Sequence, residues 1–451
     1  MSNRYFGTDG IRGEVDGPLF EDEFLRRLAG AVVRFLRVRS GAKAPRIVAG
    51  RDTRASGERI LGSLVDGFRR AGGTMLDFGV VPTPAVATLV REEEADLGIA
   101  ITASHNPSAD NGIKFFSGEG TKFSESEEAR IEAFLLEPAP VAASPEPEFS
   151  LTRREGSARY LRTAEILSRH LDLRGTKIVC DTANGATCGT TPKALEALGA
   201  KVIRLGDRPD GENINRDCGS EHPERMAERV RSEGATVGVA HDGDGDRAVF
   251  SDAEGDLVPG DQILGLFALQ GLRKGSLAAG TCVATVQSNR GLDLAVEKAG
   301  GSVVRTDVGD RNVAERMREI GASLGGESSG HYILHNYSTT GDGLLSLLYL
   351  LRILSETGRP LADLRADVPL LPQASANLRV REKIPLAECR SLRAAEEGAA
   401  RAIGTGGRVM TRYSGTEPKL RFLVEAATPE ECRLHLDRLI AAARTDLEPE
   451  E

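Results

Sequence analysis

Apolar runs alternate with amphipathic stretches along the chain, and one such pattern occurs three times. Each copy has an apolar run, a polar turn, a helical stretch, a glycine break and a second apolar run, at about 46–78, 177–205 and 282–305. Strand, helix and strand at this spacing predict three right-handed βαβ units. A glycine follows each predicted helix, where a left-handed conformation is common. These glycines are Gly72, Gly199 and Gly300. Their similar placement favours related α/β domains over three unrelated units of a common type.

The C-terminal part has a different order of elements, which predicts a smaller α+β domain. Its strands are expected at 376–380, 408–411 and 420–426, and its helices at 386–402 and 429–445. A segment rich in proline and alanine at 136–147 predicts a linker. Two more boundaries are expected near 251–260 and 369–372. The predicted domains are 1–150, 151–254 and 255–369, all mixed α/β, and 370–451, which is α+β.

The composition narrows the class of protein. A chain of 451 residues is too long for one core, and no apolar run approaches the ~18 residues of a membrane helix. The N-terminus lacks a signal sequence, so we predict a cytoplasmic protein without a membrane partner. A net charge of −9 argues against nucleic acid as a partner. The six cysteines form no CxxC pair and are expected to be reduced and structural.

The acidic segment Asp242–Arg247, with the sequence DGDGDR, is the strongest candidate for chemistry. In an extended segment, alternate side chains share one face, so the three carboxylates would converge. Hard oxygen ligands suit Mg²⁺ or Ca²⁺. An EF-hand is excluded, because Arg247 and Ala253 stand where its glycine and glutamate are needed. The apolar run at 236–240 predicts a strand that ends at these acids, where open α/β sheets bind ligands. An acidic surface turn is the simpler alternative.

The charge of this segment limits its role. Three aspartates and one divalent cation leave a charge of about −1, which repels phosphate, so a phosphoryl-transfer site needs cations nearby. Arg247 is adjacent in sequence, and Lys114 and Arg12 are the other candidates.

Ser104 lies in a polar loop, Thr102–Pro107, after the apolar run at 99–101. A serine on such a loop is expected to be exposed and able to attack phosphorus or carry a phosphoryl group. A capping turn is the competing interpretation. Lys114 follows on a predicted returning strand among apolar residues, which predicts a lowered pKa and a role in proton transfer. Most such lysines simply extend their ammonium group to solvent.

Two further loops carry polar groups. Gly326–Gly330 matches Gly-x-Ser-x-Gly, but the residues after it predict a strand and not the helix of a hydrolase nucleophile elbow. Its glutamate, serine and histidine suit sugar hydroxyls, or form a plain polar turn. Arg412–Arg421 offers hydroxyls, backbone N–H groups and two arginines, which suit an anion, or form a solvated basic turn. No Walker motif is present, which disfavours nucleotide hydrolysis.

Five ordered motifs together resemble the α-D-phosphohexomutase superfamily over essentially the whole chain. The resemblance is greatest to the members that act on glucosamine phosphates. The motifs are Phe6–Gly13, Thr102–Pro107, Asp242–Arg247, Gly326–His331 and Arg412–Pro418, supported by Cys218–Glu224, Val308–Arg311 and Thr339–Gly343.

This resemblance implies a fold and a set of site residues. The fold has four domains around a central cleft, with three related α/β domains followed by an α+β domain. Ser104 is implied as the phosphoserine, whose phosphate completes the coordination of one Mg²⁺ per chain. The implied metal ligands are Ser104, Asp242, Asp244 and Asp246. The implied catalytic residues are Ser104, Lys114, His331, Arg12, Arg247 and His105. The implied substrate-binding residues are Glu327, Ser329, Asp310, Arg311, Arg412, Ser414, Gly415, Thr416 and Arg421.

The implied reaction interconverts glucosamine 6-phosphate and glucosamine 1-phosphate through a 1,6-bisphosphate, on the route to UDP-N-acetylglucosamine. Activity is expected to require phosphorylation of Ser104 and activation by glucosamine or glucose 1,6-bisphosphate. The alternatives are a mutase for mannose or glucose phosphates, a metal-dependent sugar phosphatase and a catalytically silent sugar-phosphate sensor. The sequence leaves the oligomeric state open, with a homodimer as one option.

Overall fold

The structure, a computed structural model, describes residues 5–7, 9–41, 44–137, 148–414 and 418–447. Most of the predicted linker, at 138–147, lies outside these residues, as do Gly415 and Thr416. The chain divides into two compact units, Met1–Gln287 with Ala299–Asp367, and Ser288–Lys298 with Val368–Glu451.

The first sheet of the larger unit has six strands in the order β1-β5-β4-β2-β3-β6. Its elements are β1 (Ile11–Glu14), α1 (Asp22–Ser40), β2 (Arg46–Arg51), α2 (Ser56–Ala71), β3 (Gly73–Val80), α3 (Thr83–Glu92), β4 (Leu97–Ile101), β5 (Asp110–Ser117), α4 (Glu125–Leu136) and β6 (Phe149–Arg153). The strand β5 is antiparallel to both of its neighbours, so the sheet is mixed. The helix α2 buries Ile60, Leu64 and Phe68, which recur on one face of the helix, in the core.

The second sheet has five strands, and it carries the acidic segment. Its elements are α5 (Ser157–Ser168), β7 (Lys177–Asp181), α6 (Thr191–Ala197), β8 (Lys201–Leu205), α7 (Glu224–Glu233), β9 (Val237–His241), β10 (Ala248–Ser251) and β11 (Leu257–Val258). The strand order is β11-β10-β9-β7-β8. Every residue of the strand β9 is buried, as expected for a central strand.

The third sheet has four strands in the order β13-β12-β14-β15. The next elements along the chain are α8 (Gly260–Lys274), β12 (Thr281–Thr285), α9 (Arg290–Lys298), β13 (Ser302–Thr306), α10 (Asp310–Ile320), β14 (Leu324–Gly326), β15 (Tyr332–Leu334), α11 (Gly343–Thr357) and α12 (Leu361–Arg365). The helix α9 belongs to the smaller unit.

The smaller unit contains a three-stranded antiparallel sheet in the order β16-β18-β17. Its remaining elements are β16 (Gln373–Arg379), α13 (Arg390–Ile403), β17 (Arg408–Tyr413), β18 (Lys419–Glu425) and α14 (Pro429–Asp446). The prediction that the first of these helices begins at 386 is wrong. Leu386–Glu388 form a 3₁₀ turn, and Cys389 has non-helical dihedral angles, so α13 starts only at Arg390.

The three predicted βαβ units are confirmed. The strand pairs β2–β3, β7–β8 and β12–β13 are all parallel, and Gly72, Gly199 and Gly300 have φ angles of +82°, +91° and +86°. Three mixed α/β sheets followed by a small antiparallel sheet confirm the predicted fold class. The exact domain boundaries stay predictions. Among the described residues, no helix has both the length and the apolar character needed to cross a membrane.

Candidate active site

The acidic segment forms a turn at the C-terminal end of β9. Oxygens of Asp242, Asp244 and Asp246 lie within 4.8 Å of one another, and all three residues are buried. The carboxylates converge because the backbone turns, with Gly245 at φ +72°, and not because the segment is extended. The segment Asp242–Arg247, which we call the acidic loop, is therefore part of the interior and not a surface turn.

The three carboxylates have the chemistry of a site for a hard cation. Among the described residues, Asp244 Oδ1 and Asp246 Oδ1 are buried without a hydrogen-bond partner. Burial raises the pKa of Asp242 well above its usual range, and the carboxylates of Asp246 and Asp244 raise it further. A divalent cation would offset this repulsion and use the unpartnered oxygens, so these residues fit Mg²⁺.

Ser104 lies on the loop after β4, in contact with the acidic loop. Its hydroxyl donates a hydrogen bond of 2.5 Å to Asp242 Oδ2, and His105 Nδ1 is 3.4 Å from the same Oγ. Burial and the nearby Arg247 lower the pKa of His105. The prediction that Ser104 is exposed is wrong, because only 1% of its surface is accessible. The loop packs against Gly243, where a Cβ atom would lie 2.6 Å from the Ser104 carbonyl oxygen.

Lys114, on the strand β5, contacts three carboxylates. Its Nζ lies 2.8 Å from Asp244 Oδ2, 3.0 Å from Asp9 Oδ2 and 3.3 Å from Asp246 Oδ2. Burial lowers the pKa of Lys114, but these three carboxylates outweigh burial and hold the pKa well above its usual value. The predicted lowering of this pKa is therefore wrong, since the ammonium group of Lys114 lies among carboxylates that are distant in sequence.

Three carboxylates alternate with two lysines and one histidine in a closed ring, which we call the charge ring. Its members in order are Asp246, Lys114, Asp9, Lys122, Asp310 and His331. Lys122 Nζ lies 2.5 Å from Asp9 Oδ1 and also pairs with Asp310. The ring takes side chains from the regions of all three mixed sheets, with Lys114 on β5, Asp310 at the start of α10 and the other members in loops. Each carboxylate of the ring thus lies between two groups that carry or accept a proton.

His331 closes the charge ring on the third sheet. Its Nδ1 is 3.6 Å from Asp246 Oδ1, and its Nε2 is 3.7 Å from Asp310 Oδ2. Burial lowers the pKa of His331, but the two carboxylates raise it above its ordinary value. The backbone N–H of Gly341 donates to Nε2 at 3.2 Å, so the neutral ring carries its proton on Nδ1, toward Asp246. The imidazole can therefore hold a proton or release one beside Asp246.

The predicted arginines lie beside the carboxylates. Arg12 donates to Asp9 Oδ2 at 2.6 Å, and the backbone N–H of Arg247 donates to Asp242 Oδ1 at 3.2 Å. The Arg12 and Arg247 side chains are 26% and 21% exposed, so an anionic ligand can reach them from solvent. The structure thus brings together the cations that the charge of the acidic loop requires.

Other predicted residues are placed differently. Glu327 Oε1 accepts the backbone N–H of Gly309 at 3.0 Å, and Ser329 is exposed on the loop before His331. The structure does not bring Arg311 into the cluster. Both of its terminal nitrogens bind Glu128 on the helix α4, at 2.6 and 2.9 Å.

The predicted anion site of the smaller unit rests on two neighbouring strands. Arg412 on β17 lies directly opposite Arg421 on β18, and Arg421 Nη2 is 3.3 Å from Ser414 Oγ. Lys383 Nζ donates to the Ser414 carbonyl at 2.7 Å. Like charges directly opposite each other destabilise a sheet, so this arrangement suits an anion between them. The predicted partners Gly415 and Thr416 lie outside the described residues.

Sequence reasoning missed three residues of the cluster. Asp9 lies three positions before Arg12 in the same motif, Phe6–Gly13, and this motif could have identified it. Lys122 and Thr83, whose hydroxyl donates to Asp244 Oδ2 at 2.6 Å, are isolated polar residues in sequence. No local pattern distinguishes them from surface residues.

Family models match nearly the whole chain. The phosphoglucomutase/phosphomannomutase alpha/beta/alpha domains I, II and III match residues 3–140, 158–255 and 259–370, and the C-terminal domain of that family matches 376–442.

Individual relatives are similar over their full lengths. A phosphoglucosamine mutase of Nitratidesulfovibrio vulgaris (strain DP4) is 44% identical over 96% of each chain. The crystal structure of a phosphoglucomutase/phosphomannomutase family protein from Burkholderia thailandensis has a TM-score of 0.83 at 26% identity, covering 98% of this chain and 97% of that chain. An Aspergillus fumigatus N-acetylphosphoglucosamine mutase, solved with GlcNAc-6P and magnesium, shares the fold with a TM-score of 0.65 at 17% identity, covering 98% and 96%. The chain is therefore a phosphohexomutase, an isomerase, and belongs to the phosphoglucosamine mutases of the four-domain phosphoglucomutase/phosphomannomutase family.

Proposed function

We propose that the chain interconverts glucosamine 6-phosphate and glucosamine 1-phosphate by way of a phosphoryl group carried on Ser104. The observation that supports this most is the 2.5 Å hydrogen bond from the Ser104 hydroxyl to Asp242 within the buried carboxylate cluster. A nucleophile in this position lies beside carboxylates that can bind a cation. Lys114 contacts Asp244 and His331 contacts Asp246, two of these carboxylates.

In the first half-reaction, the O1 hydroxyl of glucosamine 6-phosphate attacks the phosphorus of phosphorylated Ser104. The bond from phosphorus to O1 forms, and the bond from phosphorus to Ser104 Oγ breaks. The O1 proton passes to His331, and Lys114 supplies a proton to the released Oγ. The carboxylate neighbours of Lys114 keep it charged, so it carries the proton that this role requires.

The second half-reaction reverses these transfers at the other phosphate. The 1,6-bisphosphate reorients, and Ser104 Oγ attacks the phosphorus on O6 while its proton returns to Lys114. The bond from phosphorus to Oγ forms, and the bond from phosphorus to O6 breaks. His331 gives its proton to O6, so that glucosamine 1-phosphate leaves and the enzyme regains its phosphoserine and its starting protonation. Arg12 and Arg247 contact the phosphate that reacts, and Glu327 and Ser329 contact the sugar hydroxyls. Arg412, Ser414 and Arg421 form the proposed phosphate-binding site of the smaller unit.

Magnesium is the proposed metal, held by Asp242, Asp244 and Asp246 with one oxygen of the Ser104 phosphate. When bound, it draws negative charge from the phosphoryl oxygens and so favours transfer. The unpartnered carboxylate oxygens support this assignment, and magnesium is present in the structure of the Aspergillus fumigatus relative. Phosphorylation of Ser104 by glucosamine or glucose 1,6-bisphosphate is the proposed activating step.

A sugar phosphatase is the alternative use of the same residues, with water as the acceptor in place of the sugar. The burial of Ser104, at 1% exposure, favours the mutase, because water must be kept from a phosphoserine that is used again. Cys180, Cys218 and Cys389 are buried thiols and not disulfides, which supports the cytoplasmic location that the sequence predicts.

The test of this proposal is a coupled assay of glucosamine 6-phosphate conversion with Mg²⁺ and catalytic glucose 1,6-bisphosphate. We expect Ser104→Ala to lower kcat at least about 10⁴-fold, since the loss of a nucleophile removes the covalent route. The same variant should show no phosphoryl adduct by intact mass. Ser108→Ala, in the same stretch of chain, is the matched control and should retain wild-type activity and the adduct.

Activity and adduct retained in Ser104→Ala would contradict the proposed relay. Release of inorganic phosphate faster than isomerisation would favour the phosphatase. Comparing kcat/KM for glucosamine, glucose and mannose 6-phosphates tests the sugar preference, and the highest value is expected for glucosamine.

A further inference from the structure

Two buried side chains outside the catalytic cluster hold the backbone of the loop that carries Ser104. Arg54 donates to the carbonyl oxygens of Asn106, Asp110 and Ser104 at 2.7, 3.0 and 3.2 Å, and also to that of Pro107. Asn215 Nδ2 donates to the carbonyls of Ser104 and Asn106, at 2.9 Å each. The peptide groups on either side of the loop tip therefore have fixed orientations.

The hydrogen bonds from Arg54 and Asn215 hold Ser104 in a backbone conformation that serine disfavours. Ser104 has φ +54°, in the left-handed region that residues other than glycine adopt uncommonly. Such conformations persist where the surrounding contacts determine them, and they often occur at functional sites. The Ser104 carbonyl accepts from both Arg54 and Asn215, while its N–H donates to Thr102 Oγ1 at 2.9 Å.

Arg54 is itself held in place. Its Nε donates to Asp52 Oδ2 at 3.0 Å, and both side chains are completely buried. The backbone N–H of Arg54 donates to the other oxygen of the same carboxylate at 3.0 Å. The two hydrogen bonds to Asp52 thus fix the plane of the Arg54 guanidinium. A fixed plane suits a group that donates to four carbonyl oxygens at once.

Asn215 lies in the connection between β8 and α7, near the three aspartates of the acidic loop. Its backbone N–H donates to the Ala183 carbonyl at 2.9 Å, and its Nδ2 lies 2.9 Å from where a Cβ on Gly243 would be. The same amide therefore contacts the Ser104 loop and lies against the acidic loop. It links the position of the serine to that of the carboxylates.

We propose that Arg54 and Asn215 are positioning residues for phosphoryl transfer, which hold the Ser104 backbone so that its Oγ points at Asp242. This inference rests on the proposed role of Ser104. The two side chains contact only the backbone of the loop, so they affect where the serine points and not what the sugar contacts. Their removal should lower kcat and leave KM nearly unchanged.

The test uses the full-length enzyme with Asn215→Ala and Arg54→Lys. We expect kcat to fall about 10²-fold, the usual scale for a displacement of about 1 Å, with KM changed by less than about 3-fold. The matched controls are Asn213→Ala and Arg231→Lys, whose side chains also donate to loop carbonyls. Asn213 binds the Arg208 carbonyl at 2.9 Å, and Arg231 binds the Glu254 and Gly255 carbonyls at 2.9 and 3.3 Å. Both controls should retain wild-type kcat.

Hydrogen exchange of the peptide over 102–112 gives a second readout. It should become faster in both test variants, while other peptides of the second sheet keep their rates. Wild-type kcat in Asn215→Ala, or an equal loss in Asn213→Ala, would overturn the proposal. Ser104→Ala is measured in parallel. If Ser104→Ala stays active, the phosphoserine proposal fails, whereas an inactive Ser104→Ala beside fully active Asn215→Ala rejects only the positioning role.

Discussion

Gly243 permits the close approach of two loops at Ser104. A Cβ atom there would lie 2.6 Å from the Ser104 carbonyl oxygen and 2.7 Å from the Ile214 side chain. Real Cβ atoms do not approach a carbonyl oxygen so closely, and the backbone atom cannot swing away as a flexible side chain would. The separation between Ser104 and Asp242 therefore depends on the absence of one methyl group.

We predict that Gly243→Ala lowers both activity and stability. Overpacking of a buried position costs about 1–3 kcal/mol, and the displaced serine should reduce kcat about 10²-fold. Steady-state kinetics and thermal unfolding would measure the two effects.

Gly30→Ala is the control for this substitution. Gly30 lies in α1, and an alanine methyl group there would have no atom within 4 Å apart from those of its chain neighbours and of the adjacent helix backbone. Alanine there should stabilise the helix by about 0.5–1 kcal/mol. Unchanged kcat in Gly243→Ala would show that the two loops have room to separate.

The roles of single residues were predictable from sequence where the chemistry is concentrated in one segment. The three aspartates of the acidic loop are such a case, and their burial follows from the apolar strand before them. The environments of Ser104 and Lys114 were not predictable, because each is set by residues more than 100 positions away. The burial of Ser104 and the carboxylates around Lys114 both result from the packing of the sheets against one another.

Asp342 caps the N-terminus of the helix α11 from a buried position. Its Oδ1 accepts the backbone N–H of Leu345 at 2.9 Å and the Tyr160 hydroxyl at 2.7 Å. Burial raises the pKa of Asp342 to about 6, although both hydrogen bonds oppose the rise. A raised carboxyl pKa means that the folded state holds its proton more tightly than the unfolded chain. The contribution to stability is therefore largest below the usual aspartate pKa and is lost as the pH rises through 6.

We predict that Asp342→Asn removes this pH dependence. The amide oxygen of the asparagine still accepts the hydrogen bonds from Leu345 and Tyr160. Its NH₂ group changes the free energy of unfolding by an amount that does not depend on pH. Between pH 4 and 7, the free energy of unfolding of the wild type should fall relative to the variant by about 2.4 kcal/mol, at about 1.4 kcal/mol for each unit of pKa shift.

Urea unfolding of both proteins at a series of pH values measures this difference. A constant difference across the range would mean that Asp342 titrates at its ordinary pKa in the folded protein.

At the scale of elements, periodicity predicted the three βαβ units because each is a local pattern of apolar residues and glycines. The start of α13 was not predictable from that pattern, since its apolar positions continue into a 3₁₀ turn that precedes it. Helix and turn share such spacing over a few residues, and only backbone geometry separates them.

The larger unit is held together by charged contacts as well as by apolar cores. The charge ring joins side chains from three sheets, and the buried pair of Glu128 and Arg311 joins α4 to α10. Such contacts were beyond sequence reasoning, because the members are spread from position 9 to position 331 and carry no shared local pattern. The family resemblance supplied four of the six members, which are Asp246, Lys114, Asp310 and His331. Asp9, Lys122 and the order of the ring required the structure.

We predict that Mg²⁺ stabilises the folded protein. Three buried carboxylates repel one another without a cation, and an ion that binds only the folded state at about 100 times its Kd adds about 2.7 kcal/mol. Calorimetry in EDTA and then in excess Mg²⁺ should show a higher Tm with the metal.

The variant Asp244→Asn removes one ligand and should shrink this rise in Tm. Potassium chloride at matched ionic strength is the control for screening, and it should leave Tm unchanged. An equal rise with potassium, or an undiminished rise in Asp244→Asn, would argue against a cation at the three aspartates.

The charge ring also limits which substitutions the chain can accept during evolution. Each member is balanced by two neighbours, and two of its six contacts link the second sheet's Asp246 to groups of the first and third. A substitution that alters one charge leaves an imbalance that only a second substitution, often in another domain, can correct. The three mixed domains are thereby expected to be inherited together, and a hybrid enzyme made by exchanging one of them between distant relatives should function only when the ring is restored.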